Sequence, residues 1–252
     1  MNYNWNWNIF WELSPDGNGT YLNTLIDGMQ WTLATALLSA VLAFLLGSIV
    51  GVMRTTPSRT LRTIGAAYVE LFRNIPLLVQ MFLWYFVLPE LLPTAAGNAV
   101  KAMAPPWASF WPAVACLSFF ISARVAEQVR AGIESLSSGQ RLAGLAVGLT
   151  LAQTYRHVLL PVVYRIITPT LTSELMNVIK NSSVALTIGL VELTSAARSM
   201  QEFSFQVFEA FTAATIIYVV INIVVVIVMR VLEKKSAVPG FISGKADRPA
   251  TE

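Results

Sequence analysis

From Gly28 to Met53 the chain carries no ionisable side chain. That run is longer than the roughly 20 apolar residues a helix needs to cross the hydrocarbon core of a bilayer. Lipid offers the backbone no hydrogen-bond partners, so such a run is helical and the rest of the chain has to be built around membrane-crossing helices. Composition agrees. Of 252 residues, 55% are hydrophobic and only 12% are charged, against roughly 25% charged in a soluble domain. Mean hydropathy is +0.61, and the length suits one compact bundle.

Four further spans follow from the hydropathy pattern. The second runs from about Ile64 to Leu88 and carries Glu70 and Arg73; Pro89 and Pro93 then open a loop that ends near Pro105 and Pro106. The third covers about Trp107 to Ile133 and is charge-free until Arg124. The fourth, about Val163 to Leu190, is the most polar, and the fifth, Ala210 to Met229, is again uncharged. Five spans put the termini on opposite sides. Arg54, Arg59 and Arg62, then Arg141, Arg156 and Arg165, then Arg230, Lys234, Lys235, Lys245 and Arg248 all fall on one of them. The other side has Lys101 and Arg198 against Glu12, Asp16, Asp27, Glu90, Glu192, Glu202 and Glu209. The positive-inside bias then places the N-terminus outside and the C-terminus in the cytoplasm. This sidedness accounts for the pI near 9.1 with no nucleic acid partner.

The expected domains are an outer segment 1–27, a bundle 28–235 and a flexible cytoplasmic tail 236–252 containing Pro239, Gly240, Gly244 and Pro249. Residues 1–27 have neither a basic start nor a long apolar core, so they do not read as a cleavable signal. Trp5, Trp7 and Trp11 read as an interfacial anchor.

Much chemistry is absent. His157 is the one histidine and Cys116 the one cysteine, which excludes an intrachain disulfide and most His/Cys metal sites. No His-Glu-x-x-His and no Gly-x-Ser-x-Gly elbow occurs, and no nucleophile–base pair is recognisable, so the chain does not read as an enzyme. The string from Gly240 to Ala246 has three residues between its glycines where a phosphate loop needs four. It also places Ala246 where Ser or Thr should hold magnesium. The chain is expected to bind no cofactor and no nucleotide itself.

Between the third and fourth spans lies residues 139–161, GQRLAGLAVGLTLAQTYRHVLLP, too polar and glycine-broken to cross lipid. It reads as a short amphipathic helix, a turn at Gly148 and a second helix that Pro161 stops. Leu142, Leu145, Ala146 and Leu149 recur at helical spacing, while Gln140, Arg141, Gln153, Arg156 and His157 make a polar side. Such an element either docks in another protein's groove or lies in the headgroups. Its pattern, Leu142-Ala143-Gly144, three residues, Gly148, nine residues, Val158, then Leu159 and Leu160-Pro161, resembles the loop of ABC import permeases. Leu142 stands where that family has glutamate and Gly144 where it has alanine. The resemblance implies a coupling helix that docks on an ATPase subunit, with Gly139, Gln140, Ala143, Gly144, Gly148, Leu149, Leu160 and Pro161 as the coupling residues.

Ionisable side chains inside a membrane usually face a cavity or a partner, because lipid exposure costs about 2.5–3.5 kcal/mol or more. Glu70 and Arg73, three apart on one helical face, can neutralise each other, as can Glu127 and Arg130, which leaves Arg124 as the deeper unpaired charge. Glu174, Asn177 and Asn181 form one stripe of a helix, with Lys180 on its flank and Ser182 and Ser183 extending it. Asparagine and serine also serve as interhelical glue, but the Glu and the Lys favour a polar passage, shared in a dimer.

The same segments resemble polar amino acid ABC permeases: Glu70 to Gln80 their second-helix motif, Ser122 to Arg130 their third, and Glu174 to Ser183 their fourth. The likeness runs in order from about Gly28 to Met229. With the Trp-Asn-Trp start and the Glu-Leu-Leu-Pro loop at Glu90, it is nearest to permeases of bacterial glutamate/aspartate importers. It implies an all-α, five-transmembrane-helix type I importer permease of the bacterial inner membrane. The implied partners are a sister permease, two ATP-binding subunits that hold the ATP and magnesium, and a periplasmic solute-binding protein. Arg124 stands where that family usually has tyrosine. A bidentate Arg124 for one carboxylate, Glu174 for the ammonium, and Lys180 or Arg73 for the second carboxylate would suit an acidic amino acid. Permeases for glutamine or for arginine and histidine are the alternatives within the family. An autonomous secondary transporter would call for an inverted repeat, which is not found.

Overall fold

The computed structural model describes residues 3–236 apart from 16 and 18. Asp16 and residues 237–252, with the Gly240–Ala246 string and all of the expected tail but Ser236, lie outside the described residues. A 3₁₀ turn, Trp7–Trp11, leads to α1, Tyr21–Met53. This first helix begins ahead of Gly28, within the expected outer segment, because Thr20 caps it by accepting from the Asn23 N–H at 3.4 Å. Ser39, Ala43, Gly47 and Gly51 recur every fourth residue and all are buried. A Cβ on Gly47 would stand 2.6 Å from Val125 Cβ, and one on Gly51 2.7 Å from Val129 Cβ. This small-residue stripe is the close helix–helix contact that membrane bundles use where no hydrophobic effect drives association.

The second span is not one straight helix. α2 is Arg59–Asn74 and α3 is Leu77–Phe82; a wide π turn, Leu83–Val87, joins α3 to α4, Leu88–Leu91. The axis turns by 101° between Asn74 and Leu77. Pro76 is the cause: the residue before a proline is pushed out of the helical region, and Ile75 is extended at φ −94°, ψ 127°. Buried Gln80 repairs the break, its amide donating to the Phe72 and Ile75 carbonyls at 2.9 Å each. α5, Thr94–Lys101, follows at the far end of this pair, and α6, Trp107–Glu134, is the third span.

Next come α7, Ser138–Ala146, α8, Leu151–Thr154, a π turn over Tyr155–Leu159, and α9, Leu160–Asn181. Pro161 does not stop a helix here. It occupies the first turn of α9, where its missing N–H costs nothing, and the widened turn before it carries the chain through. The fourth span therefore starts earlier than expected. It also ends earlier, at Asn181, beyond which Ser182–Ile188 is a 3₁₀ segment closed by Gly189 at φ +82°. α10, Leu193–Ser204, and α11, Val207–Ser236, complete the chain.

Among the described residues, α1, α6 and α11 are each long and apolar enough to cross a membrane, and the bent α2–α3 pair can make a fourth crossing. α9, at 22 residues, spans about 33 Å at 1.5 Å per residue. Its polar stripe keeps it from qualifying on hydropathy; Val163, Ile167, Val178 and Ile179 are the positions it buries against the bundle. Together these make a five-helix bundle. α6 is its centre, with Ile121, Ala123, Val125, Ala126 and Val129 all buried against α1, α2 and α9.

Candidate functional site

Of the six residues expected to face a substrate, the fold brings two together. Arg124 on α6 points its Nη1 at Glu174 Oε2 on α9 across 4.0 Å, an open ion pair with the arginine half-exposed and the carboxylate largely covered. The guanidinium lies 4.9 Å from the centre of the Phe120 ring, so a cation–π contact holds it from below. Glu174 Oε1 accepts from Gln128 Nε2 at 3.1 Å. Glu174 Oε2 is buried and has no hydrogen-bond partner among the described residues. Gln128 was missed in the sequence; its signal was its place four residues after Arg124, on the same face of one helix.

The rest of the polar stripe diverges. Asn177 and Asn181 are half-buried and continue the line from Glu174. Lys180 turns instead toward a cavity of about 710 Å³ between α9, α10 and α11, which Ser183, Thr194, Tyr218 and Asn222 also line. Arg73 is not brought to the pair. It is exposed on the last turn of α2 and, contrary to their expected neutralisation, makes no ion pair with Glu70, which is exposed on the same helix. Glu127 and Arg130 do pair, at 2.5 Å, and two unforeseen partners extend them: Arg54 from the end of α1 binds Glu127, and Glu134 binds Arg130 at 2.5 Å.

Two carboxylates counted from sequence as outer surface charge are fully buried. Glu192 caps α10, accepting from the Thr194 and Ser195 N–H groups at 3.0 and 2.8 Å and from the Tyr218 hydroxyl at 2.9 Å. Burial pushes its carboxyl above the ordinary value, and the hydrogen bonds to the ionised form oppose that shift. Glu209 accepts from Tyr3 Oη at 2.5 Å and from the Asn6 N–H at 2.8 Å, so it ties the N-terminal segment to α11. Trp5 and Trp7 stack at 5.8 Å, and they and Trp11 are exposed.

The 139–161 stretch is a helical hairpin. α7 ends in a Schellman turn: the Leu149 N–H donates to the Gly144 carbonyl at 3.1 Å and the Gly148 N–H to that of Leu145 at 3.0 Å. Gly148, at φ +86°, supplies the left-handed residue this turn requires. Thr150 and Gln153 then form a reciprocal capping box at 2.8 and 3.3 Å. Gly144 is buried because the arms touch there; a Cβ on it would lie 2.8 Å from Thr154 Cγ2. Leu142, Leu145 and Val147 are exposed, as are Gly139, Ala143 and Pro161, while Gln140, Leu149 and Leu160 are half-covered. The hairpin is fastened to the bundle by Tyr155, whose hydroxyl donates to the Thr55 carbonyl at 2.9 Å, just past the end of α1.

Residues 17–238 match the family described as "Binding-protein-dependent transport system inner membrane component". The glutamate/aspartate import permease protein GltJ of Escherichia coli is 49% identical over 97% of this chain and 100% of its own length. The probable glutamine ABC transporter permease protein GlnM of Bacillus subtilis is 34% identical over 83% of this chain and 92% of its own. Among solved structures, an amino acid ABC transporter crystallised with histidines superposes with a TM-score of 0.70 at 28% identity, covering 85% of this chain and 95% of that one. The inward-facing MetNI methionine ABC transporter superposes at 0.72 over 86% and 98% of the two chains; at 19% identity the likeness is one of fold.

Proposed function

This chain belongs to the binding-protein-dependent transport system inner membrane components, and from that premise we propose that it is the permease subunit of an ATP-driven importer of acidic amino acids. The observation that carries the substrate class is the open Arg124–Glu174 pair. An acidic amino acid has two carboxylates and one ammonium. Arg124 offers a planar fork to a carboxylate, and the unpartnered Glu174 Oε2 offers an acceptor to the ammonium. Gln128 fixes the carboxylate from the other side. Asn177 and Asn181 extend the path, and Lys180, on the wall of the neighbouring cavity, is the second cation along it. Arg73, exposed on α2, has no part in this reading. The glutamate/aspartate permease that shares 49% of its residues with this chain supports the same class.

In the working assembly the chain pairs with a sister permease, two ATP-binding subunits and a periplasmic solute-binding protein. The partners hold ATP and magnesium, and this chain catalyses no reaction. The hairpin and C-terminus face the cytoplasm and the N-terminus faces the periplasm. Closure of the ATPases moves the hairpin, and the bundle alternates between outward and inward access. The test is uptake by the reconstituted assembly carrying Arg124→Tyr. Losing a charge-assisted hydrogen bond of about 1.5–3 kcal/mol lowers the ratio of glutamate to glutamine transport by at least about 10-fold. An unchanged ratio would remove Arg124 from the substrate site and the acidic assignment with it.

A further inference from the structure

At the membrane-surface end of α1 and α6, beside the hairpin, lies a second cavity, of about 260 Å³. Arg54, Arg62 and Arg141 line it, together with Ser137, Ser138 and Glu134. Two of these charges are already matched: Arg54 is bound to Glu127, and Glu134 to Arg130. Arg62 and Arg141 are not, for no carboxylate among the described residues lies within ion-pairing distance of either. The Ser137 oxygen accepts from the Gly139 N–H at 3.2 Å, which leaves its O–H free to donate. Ile133 and Leu159 form an apolar wall at the same opening.

We propose that this cavity is a binding site for a phosphate-bearing anion, with Arg62 and Arg141 as the principal ligands. Two guanidinium groups without a carboxylate partner and two serine hydroxyls on the wall of one cavity suit the oxygens of a phosphate. The place at the boundary between bundle and water is where basic pockets between helices take anionic lipid headgroups, and the Ile133–Leu159 wall gives an acyl chain somewhere to begin. Inorganic phosphate presents the same oxygens without the chain. Either occupant would bridge Arg141 on α7 to Arg62 on α2, and so fasten the hairpin to the bundle. The proposal does not depend on which amino acid is carried.

The test uses the intact transporter assembly in two arms. In the first, lipid retained after exchange into phosphatidylglycerol or phosphatidylcholine is measured by native mass spectrometry. In the second, thermal protection by inorganic phosphate is compared with chloride at equal ionic strength. At about 5-fold per arginine near a membrane surface, Arg141→Gln lowers phosphatidylglycerol preference about 5-fold, and the double variant Arg62→Gln with Arg141→Gln about 30-fold. Arg141→Lys keeps the charge and retains more than Arg141→Gln. Arg59→Gln, on the same first turn of α2 but off the cavity wall, lowers the preference less than Arg62→Gln and leaves protection by phosphate unchanged. Preference in the first arm assigns the site to a lipid headgroup; protection in the second alone, lost in the double variant, assigns it to free phosphate. If the double variant matches wild type in both arms, or Arg59→Gln falls as far as it does, the site does not exist.

Discussion

Replacing Gly47 by alanine tests whether the α1–α6 contact holds the bundle together. The new methyl carbon would sit 2.6 Å from Val125 Cβ and 2.7 Å from the Ser122 carbonyl oxygen. Carbon atoms pack favourably at about 3.5–4.0 Å, so the helices must part by about 1 Å at that level. Neither obstacle can rotate away: one is a Cβ and the other is backbone. Overpacking of this kind costs about 1–3 kcal/mol, and the gain in helix propensity from glycine to alanine returns at most about 1 kcal/mol. With both obstacles immovable the cost falls in the upper half of that range, about 2–3 kcal/mol, and the net loss of about 1–2 kcal/mol corresponds to a fall of roughly 2–8 °C in unfolding temperature for a chain of this size. Cys116 supplies the readout, being the chain's one cysteine and fully buried. A thiol-reactive dye on a temperature ramp should label it only as the bundle opens. Gly139→Ala, whose methyl meets only Ser137 Oγ at 3.3 Å, is the control. Labelling of Gly47→Ala at the wild-type temperature would refute the claim that α1 and α6 are in contact at their limit.

Gly148→Val puts a β-branched residue at φ +86°, where even an unbranched L-residue pays about 1–2 kcal/mol. The Schellman turn opens, and the amount of ATP-hydrolysing subunit that copurifies with the chain should fall while Cys116 labelling stays at the wild-type temperature. Because the Glu192 carboxyl is raised above its ordinary 4.5 by burial, the folded state holds the proton to higher pH than the unfolded state. The stability linked to this group is therefore fully present below pH 4.5 and is lost as pH rises through the folded value. Glu192→Gln should flatten that limb of the unfolding temperature against pH, and an unchanged limb would assign the dependence to another group.

What the sequence made legible followed from contrasts of polarity that do not depend on neighbours. Residues 28–53, 107–133 and 210–229 read as spans because hydrocarbon alone demands uncharged helix, and α1, α6 and α11 cover them. Gly148 read as a turn because few other residues enter the left-handed region cheaply. Prolines were harder, since their effect depends on what precedes them. Pro76 breaks a helix and Gln80 takes up the freed carbonyls, whereas Pro161 sits in a first turn and breaks nothing. Charges were hardest. Arg124 and Glu174 were both suspect for being in lipid, but their meeting depends on how α6 and α9 are rotated. Glu192 looked like surface because its partners, the Tyr218 hydroxyl and two backbone N–H groups, are invisible until α10 folds over α1 and α11.

The same helix carries both ends of the proposed mechanism. Arg124 and Gln128 on α6 face Glu174, and one to three turns further along Glu127, Arg130 and Glu134 form the ion network that also grips Arg54. From Arg124 to Glu134 is about 15 Å along a helix axis, and no proline interrupts it. The hairpin reaches this bar through Tyr155, bonded at Thr55 next to Arg54. In the proposed mechanism a push on the hairpin would reach α1 through this bond and α6 through the Gly47–Gly51 stripe. α9 is joined to the hairpin through the π turn at Tyr155–Leu159, a wide turn of the kind often found at functional sites. In the proposed mechanism the Arg124–Glu174 contact lies where α6 and α9 would shift against each other. The Arg124–Glu174 gap, already 4.0 Å, is the contact that such motion would open or close around a bound substrate.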